Sequence, residues 1–383
     1  MGINQRWAPG PLIQKPGTIE FIAVGACHDQ HLRACHRVTA LALSLKDNAK
    51  NGTEMSIPPL VVRSVRQGWQ WQWRRLMTGL GPADDRGNYQ RPDSTPMQTS
   101  VLEAEDLRER EPDRRPRLLI GRSCPWAHRT WLMVKLRGLD NSLDVLTVKA
   151  DHEEGRWRLD PSWLGCSSLL ELYRRCGAEP SLRATVPVLV DPGRTEQDEP
   201  RLLGNDSTPL SAALNRWPAA PDAPDLSPPH LEGEIERWQT LLQPAVNDGV
   251  YRCGFARNQA AYAQASGAMF AALEQVEQAL ATERPWLCGS TLTLADVRLF
   301  PTLIRLEAVY APLFRCSAKP LWMFPRLWDW RKRFLALPGV EATCDASTWR
   351  TDYFGALFPL NPGGIIPEGP NLSTLVESTF PLP

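Results

Sequence analysis

Cys124 stands between a short apolar run, Arg117-Leu118-Leu119-Ile120-Gly121, and a segment with helical spacing of Trp131, Leu132, Val134, Leu136 and Leu139. A cysteine at such a junction lies near free backbone N–H groups and the positive end of the helix dipole. Both favour the thiolate, the form that attacks sulfur. Pro125 suits the first helical turn, where its missing N–H costs nothing. Arg122 and Arg129 add positive charge nearby. The sequence runs Cys124-Pro125-Trp126-Ala127, with no second cysteine in the motif. A mixed disulfide formed here therefore needs an external thiol to release it. A buried core cysteine is the alternative reading.

Two downstream segments bear on that choice. Thr185-Val186-Pro187 precedes a strand. In thioredoxin-like folds a cis-proline there lies beside the active cysteine and leaves a backbone edge for a peptide-like ligand. Asn205-Asp206-Ser207 opens a helix. Asp206 or Ser207 can cap it, or the N–H groups and hydroxyl can receive a carboxylate while the acid holds an ammonium.

The elements that must position these residues alternate. Strands are expected at 117–121, 143–148, 186–190 and 201–203, with helices after Cys124 and from Ser207, and a polar insertion with helical stretches between 148 and 185. Pro218 to Pro224 reads as a linker. Beyond it Met269, Phe270, Leu273, Val276 and Leu280 recur at helical spacing, and the stretch from Leu292 to Leu306 is largely apolar. Thr293-Leu294-Ala295-Asp296 is a capping-box variant. The expected domains are an α/β sheet domain over 117–217, a linker at 218–225, a helix-rich domain over 226–357 and an irregular tail over 358–383.

Residues 1–54 have weak periodicity and read as a disordered extension, or as sequence upstream of a true start at Met55. Residues 55–116 form an arm in which Trp69, Trp71 and Trp73 alternate. If extended, it would place three indoles on one face, a stacking platform for single-stranded nucleic acid. Packing on a domain surface is the favoured account.

Together these motifs resemble the glutathionyl-hydroquinone reductases, the xi class of the glutathione transferase superfamily. The resemblance rests on Cys124-Pro125-Trp126-Ala127-His128-Arg129-Thr130, Lys135-Leu136-Arg137-Gly138-Leu139 and Thr185-Val186-Pro187-Val188-Leu189. It continues through Asn247-Asp248-Gly249-Val250-Tyr251, Gly254-Phe255, Leu294-Ala295-Asp296-Val297-Arg298-Leu299-Phe300 and Asn361-Pro362-Gly363-Gly364-Ile365-Ile366-Pro367. It spans about residues 57 to 370. It implies a thioredoxin-like α/β domain over 117–217 followed by an all-α domain over 226–357, a homodimer formed through the helical domains, and glutathione as co-substrate. It implies that Cys124 takes glutathione from a glutathionyl-hydroquinone and passes it to a second glutathione. Trp157, Arg183, the Val186 backbone, Asp206 and Ser207 match its glutathione-binding positions, and Tyr251 and Tyr353 match tyrosines of its aromatic pocket. Two departures stand out: Asp206 where the family usually has glutamate, and Phe354 after Tyr353 where it has a second tyrosine.

A general thiol transferase or dehydroascorbate reductase on the same fold is the first rival, and a non-catalytic glutathione-binding protein the second. Cys27-His28-Asp29-Gln30-His31 with Cys35-His36 looks like a metal cluster, but its spacings fit no common finger, and no metal is expected. The chain has 383 residues and no formal net charge. Bulk attraction to nucleic acid or anionic membrane is therefore not expected. Nine scattered cysteines and the lack of a long apolar run point to the cytoplasm. Cys166, Cys253 and Cys288 are expected to be structural.

Overall fold

The computed structural model describes residues 57–92, 99–108, 110–151, 154–281 and 283–377. The described residues from Leu80 onward form one compact unit, and residues 57–79 belong to another. The described part of the latter is helix α1, Pro59–Leu80. It carries Arg63, Arg66, Arg74 and Arg75 and no acidic residue. Trp69 and Trp71 are exposed. The extended reading of Trp69-Gln70-Trp71-Gln72-Trp73 is therefore corrected. At about 100° per residue a helix turns Trp71 roughly 200° from Trp69, so the three indoles do not share a face. The Cys27–His36 cluster lies outside the described residues.

The larger unit begins with a six-stranded sheet in the order β4-β3-β2-β1-β5-β6. Strand β1, Arg117–Gly121, is central. It runs parallel to β2, Asp144–Asp151, with Leu119 opposite Leu146. It runs antiparallel to β5, Val188–Asp191, with Leu118 opposite Leu189. Strand β6, Arg201–Gly204, closes that side. Leu118, Leu119 and Ile120 are all buried, because a central strand covered on both faces needs apolar residues without alternation. Each contributes about 2 kcal/mol.

The expected helical insertion holds a β-hairpin instead. Strands β3, Arg156–Trp163, and β4, Cys166–Ser168, extend the sheet beyond β2. Trp157 and Leu159 are buried while Arg158 and Asp160 are exposed, an alternation that specifies a half-covered strand. Leu164 and Gly165 both take positive φ, 51° and 72°, the backbone that a two-residue hairpin turn requires. Helix α3, Leu169–Arg175, follows with a capping box between Ser168 and Glu171.

Helix α2, Pro125–Leu136, leaves β1 through a tight turn, and α4, Ser207–Arg216, follows β6. The two pack against each other. Arg137, at the end of α2, donates to the carbonyls of Trp217, Ala223 and Pro224, tying the connecting segment to the sheet domain.

The rest of the unit is helical: α5 Glu232–Leu242, α6 Gly249–Phe255, α7 Gln259–Ala279, α8 Leu294–Leu303, α9 Pro325–Leu335 and α10 Ala346–Ala356. All ten residues of α8 are buried. Its start is held by Asp296, whose carboxylate accepts from the N–H of Thr293 and Leu287 and from Trp330 Nε1. Two wide π turns, Gln243–Asn247 and Leu306–Tyr310, interrupt the regular winding. The tail is less irregular than expected: Leu372–Glu377 is a short helix, capped by Asn371 Oδ1 through the Thr374 N–H at 2.9 Å. No helix among the described residues is long and apolar enough to cross a membrane.

Candidate active site

The Cys124 side chain caps α2. Its sulfur accepts from the Ala127 N–H at 3.5 Å and lies 3.7 Å from the Val186 carbonyl oxygen. Burial works against the thiolate here, while the N–H groups of Ala127 and Trp126 work for it. The Val186–Pro187 peptide is cis. The seven described cysteines form no disulfide. Burial pushes the Cys288 thiol up to about 11 and those of Cys176 and Cys344 to about 12, so these sulfurs hold their protons near neutrality.

Trp126, two residues after the cysteine, lies between two guanidiniums. Arg91 is 4.0 Å and Arg129 4.5 Å from its ring centroid. Asp248 pairs with Arg91 and accepts from Gln243 Nε2 at 2.9 Å, and Gln243 Oε1 accepts from Arg129 at 3.0 Å. A ring of four polar side chains thus fixes one indole. Burial, with Arg298 and Arg91 nearby, brings the Arg129 guanidinium down to about 9. Tyr89 lies close by and half-buried, and burial pushes its phenol up to about 12.

Tyr251 stacks on Trp126 at 6.2 Å. Its hydroxyl lies 2.7 Å from that of Tyr353, which lies 3.2 Å from that of Tyr310. All three rings are buried. Burial raises all three phenols above their ordinary range, so they stand as neutral proton donors.

Trp157, Arg183, Asp206 and Ser207 complete the set of expected site residues. Trp157 packs so tightly on Gly121 that a Cβ there would stand 2.5 Å from the indole. Trp157 Nε1 is buried with no hydrogen-bond partner among the described residues. Asp206 caps α4 by accepting from the Thr208 N–H at 2.8 Å, and its charge reaches Arg129. Ser207 is buried beside it. Arg183 is half-buried, and its charge reaches Tyr89.

Sequence reasoning missed Tyr89, Arg91 and Tyr310. The first two lie in an arm without hydrophobic periodicity. Tyr310 lies in a π turn, whose wider winding breaks the 3.6-residue pattern that would have pointed it inward.

Residues 123–217 match the family described as glutathione S-transferase, N-terminal domain, and residues 259–333 match its C-terminal domain. The glutathionyl-hydroquinone reductase PcpF of Sphingobium chlorophenolicum is 34% identical over 264 residues, covering 66% of this chain and 82% of that protein. The chain belongs to the glutathionyl-hydroquinone reductase family. This family membership extends to the reductase YqjG of Escherichia coli K12, also 34% identical, over 66% of this chain and 78% of that one. The xi-class fold is equally plain. The glutathione transferase Xi of Phanerochaete chrysosporium superposes with a TM-score of 0.66 at 28% identity, over 75% of this chain and 94% of that one. The glutathione-bound structure of YqjG gives 0.61 at 33% identity, over 67% and 84%.

Proposed function

We propose that this chain reduces glutathionyl-hydroquinones to hydroquinones, using glutathione twice. The observation that carries the reading is the single cysteine capping α2, with the Tyr251–Tyr353–Tyr310 cluster close by.

Atom balance gives each group a task. The Cys124 thiolate attacks the sulfur of the glutathionyl group. An S–S bond forms, the ring carbon–sulfur bond breaks, and its electron pair passes to the ring carbon. That carbon needs a proton, which a buried neutral phenol can supply. Hydroquinone leaves, and Cys124 carries glutathione as a mixed disulfide. A second glutathione thiolate attacks the glutathione sulfur of that disulfide, expels the Cys124 thiolate and departs as oxidised glutathione. Two sulfurs are oxidised and one ring carbon is reduced.

Trp157, Arg183, Val186, Asp206 and Ser207 hold the glutathione. The unpaired indole N–H of Trp157 is a donor in waiting. The Val186 backbone pairs with the peptide-like backbone of the ligand. Asp206 faces its ammonium, and the start of α4 at Ser207 receives a carboxylate. The Arg129 charge near Asp206 keeps that acid oriented. Tyr251 and Tyr353 line the quinol pocket. No metal takes part. The chain acts as a homodimer through its helical half, in the cytoplasm, where glutathione is kept reduced.

Mass spectrometry after mixing enzyme with a glutathionyl-hydroquinone tests the reading. One glutathione on Cys124 supports it. Efficient turnover of dehydroascorbate with none of the glutathionyl-quinol would overturn it. Light scattering should give twice the chain mass.

A further inference from the structure

Arg305 is fully buried behind the site. Its Nη2 donates to the Arg122 carbonyl at 3.1 Å, two residues before Cys124. Its Nη1 donates to the Pro301 carbonyl and to His128 Nδ1, each at 2.9 Å. A guanidinium only donates, so Nδ1 must accept and the imidazole proton sits on Nε2. That proton goes to Thr343 Oγ1 at 2.7 Å, whose own proton goes to the Val340 carbonyl at 2.6 Å. Burial, then Arg305, holds His128 well below the ordinary imidazole range. Every group that Arg305 meets in this network is therefore neutral. Arg331, buried in the same half, has Glu307 at 2.7 Å. No carboxylate among the described residues forms an ion pair with Arg305.

A buried cation without a counter-ion is costly, and its neighbours suggest what offsets it. The Arg305 carbonyl accepts from the Tyr310 N–H at 3.3 Å, which places Tyr310 one wide turn on. The guanidinium carbon lies 4.1 Å from the Trp349 ring, one turn before Tyr353 on α10. Burial dominates at both phenols, and the Arg305 charge counters it at both.

We propose that Arg305 is a positioning residue for quinol reduction, acting through Tyr310 and Tyr353 to stabilise the phenolate left when this cluster gives its proton to the ring carbon. The inference rests on the reductase reading. Reduction of a small disulfide by glutathione also needs Cys124, but it breaks an S–S bond and places no proton on carbon. Arg305 should matter to the first reaction and little to the second.

The test compares turnover of a glutathionyl-hydroquinone with glutathione-dependent reduction of bis(2-hydroxyethyl) disulfide. Arg305→Gln keeps donors for the Arg122 carbonyl without the charge. Arg305→Lys keeps the charge without the fork. With Arg305→Gln, quinol kcat should fall about tenfold or more at little change in KM, while disulfide reduction stays within about threefold. Arg305→Lys should restore quinol turnover to within about threefold of native. A parallel loss of both reactions, or of neither, would overturn the proposal, as would a lysine variant no better than the glutamine. If Arg305→Gln does not fold, Arg305→Met takes its place as the uncharged variant: a loss of quinol turnover with disulfide reduction kept supports the proposal, and a parallel loss of both, or of neither, sinks it. Native enzyme is assayed first. If it fails on the quinol, the functional reading falls, independently of what the variants show.

Discussion

A thiol becomes useful where its anion is stabilised, and the N–H groups at the start of α2 do this for Cys124. Among the described contacts its sulfur meets the Ala127 N–H and the Val186 carbonyl. The cap is therefore a helix-terminus effect in a buried setting. Cys124→Ser keeps the size and the cap but not the nucleophile. Quinol turnover should vanish while glutathione still binds, as titration calorimetry would read; retained turnover would end the mechanism. Tyr353 holds the centre of the phenol cluster, with hydroxyl neighbours at 2.7 and 3.2 Å. Tyr353→Phe should lower quinol kcat about 100-fold and leave disulfide reduction nearly unchanged. An equal loss in both assays would assign Tyr353 to the scaffold. Phe354, where the resembled family has a second tyrosine, is buried, and the third hydroxyl of the cluster belongs to Tyr310.

At the level of elements, α2 and α8 carry the most. Helix α2 presents Cys124 at its start, His128 and Arg129 on the helical half, and Arg137 at its end on the connecting segment. Arg129 reaches across to the Arg298 carbonyl on α8 at 3.2 Å. Helix α8 in turn depends on Asp296. Burial pushes that carboxyl up to about 6, against the N–H groups that favour its charge. Asp296→Ala removes the acceptor of three buried donors and should cost about 3 kcal/mol in urea unfolding. A loss under about 1 kcal/mol would show that water replaces the carboxylate. The capping pattern was legible in sequence because it is local. The β3–β4 hairpin was legible in principle, through Trp157-Arg158-Leu159 and the Leu164-Gly165 turn, yet the polar composition of the insertion hid it. The π turns were not legible, since tertiary packing sets them.

For the molecule as a whole, the sheet and helical halves meet through buried polar contacts: His128 with Thr343, Arg305 with Arg122, and Trp349 Nε1 with the same carbonyl at 3.1 Å. His128 makes this junction sensitive to acid. Its folded pKa lies well below the ordinary 6.5, so the unfolded chain binds the proton first. The stability it contributes is fully present above about pH 6.5 and is lost as pH falls toward the folded value, by at most about 1.4 kcal/mol per unit. Asp296, raised to about 6, acts in the opposite sense: its stabilising contribution is lost as pH rises from about 4 to 6. Comparison with His128→Asn isolates the histidine. Between pH 6.5 and 5 the native melting temperature should fall more steeply than that of the variant. Equal slopes would mean that the junction tolerates a charged imidazole.

The sequence by itself determined the fold class and the family, and it pointed to the Cys124 turn we propose as the site, because these are written in short motifs whose physics is local: a cap, a strand, a proline, a helix start. It could not show which groups meet. Tyr251, Tyr310 and Tyr353 lie as much as 102 residues apart yet share hydrogen bonds, and Arg91 reaches Asp248 across 157 residues. Arg305 reads in sequence as one more arginine in an apolar stretch. Only the tertiary structure buries it without a carboxylate among the described residues, because the company a charge keeps is set by the packing of distant segments and not by its neighbours in the chain.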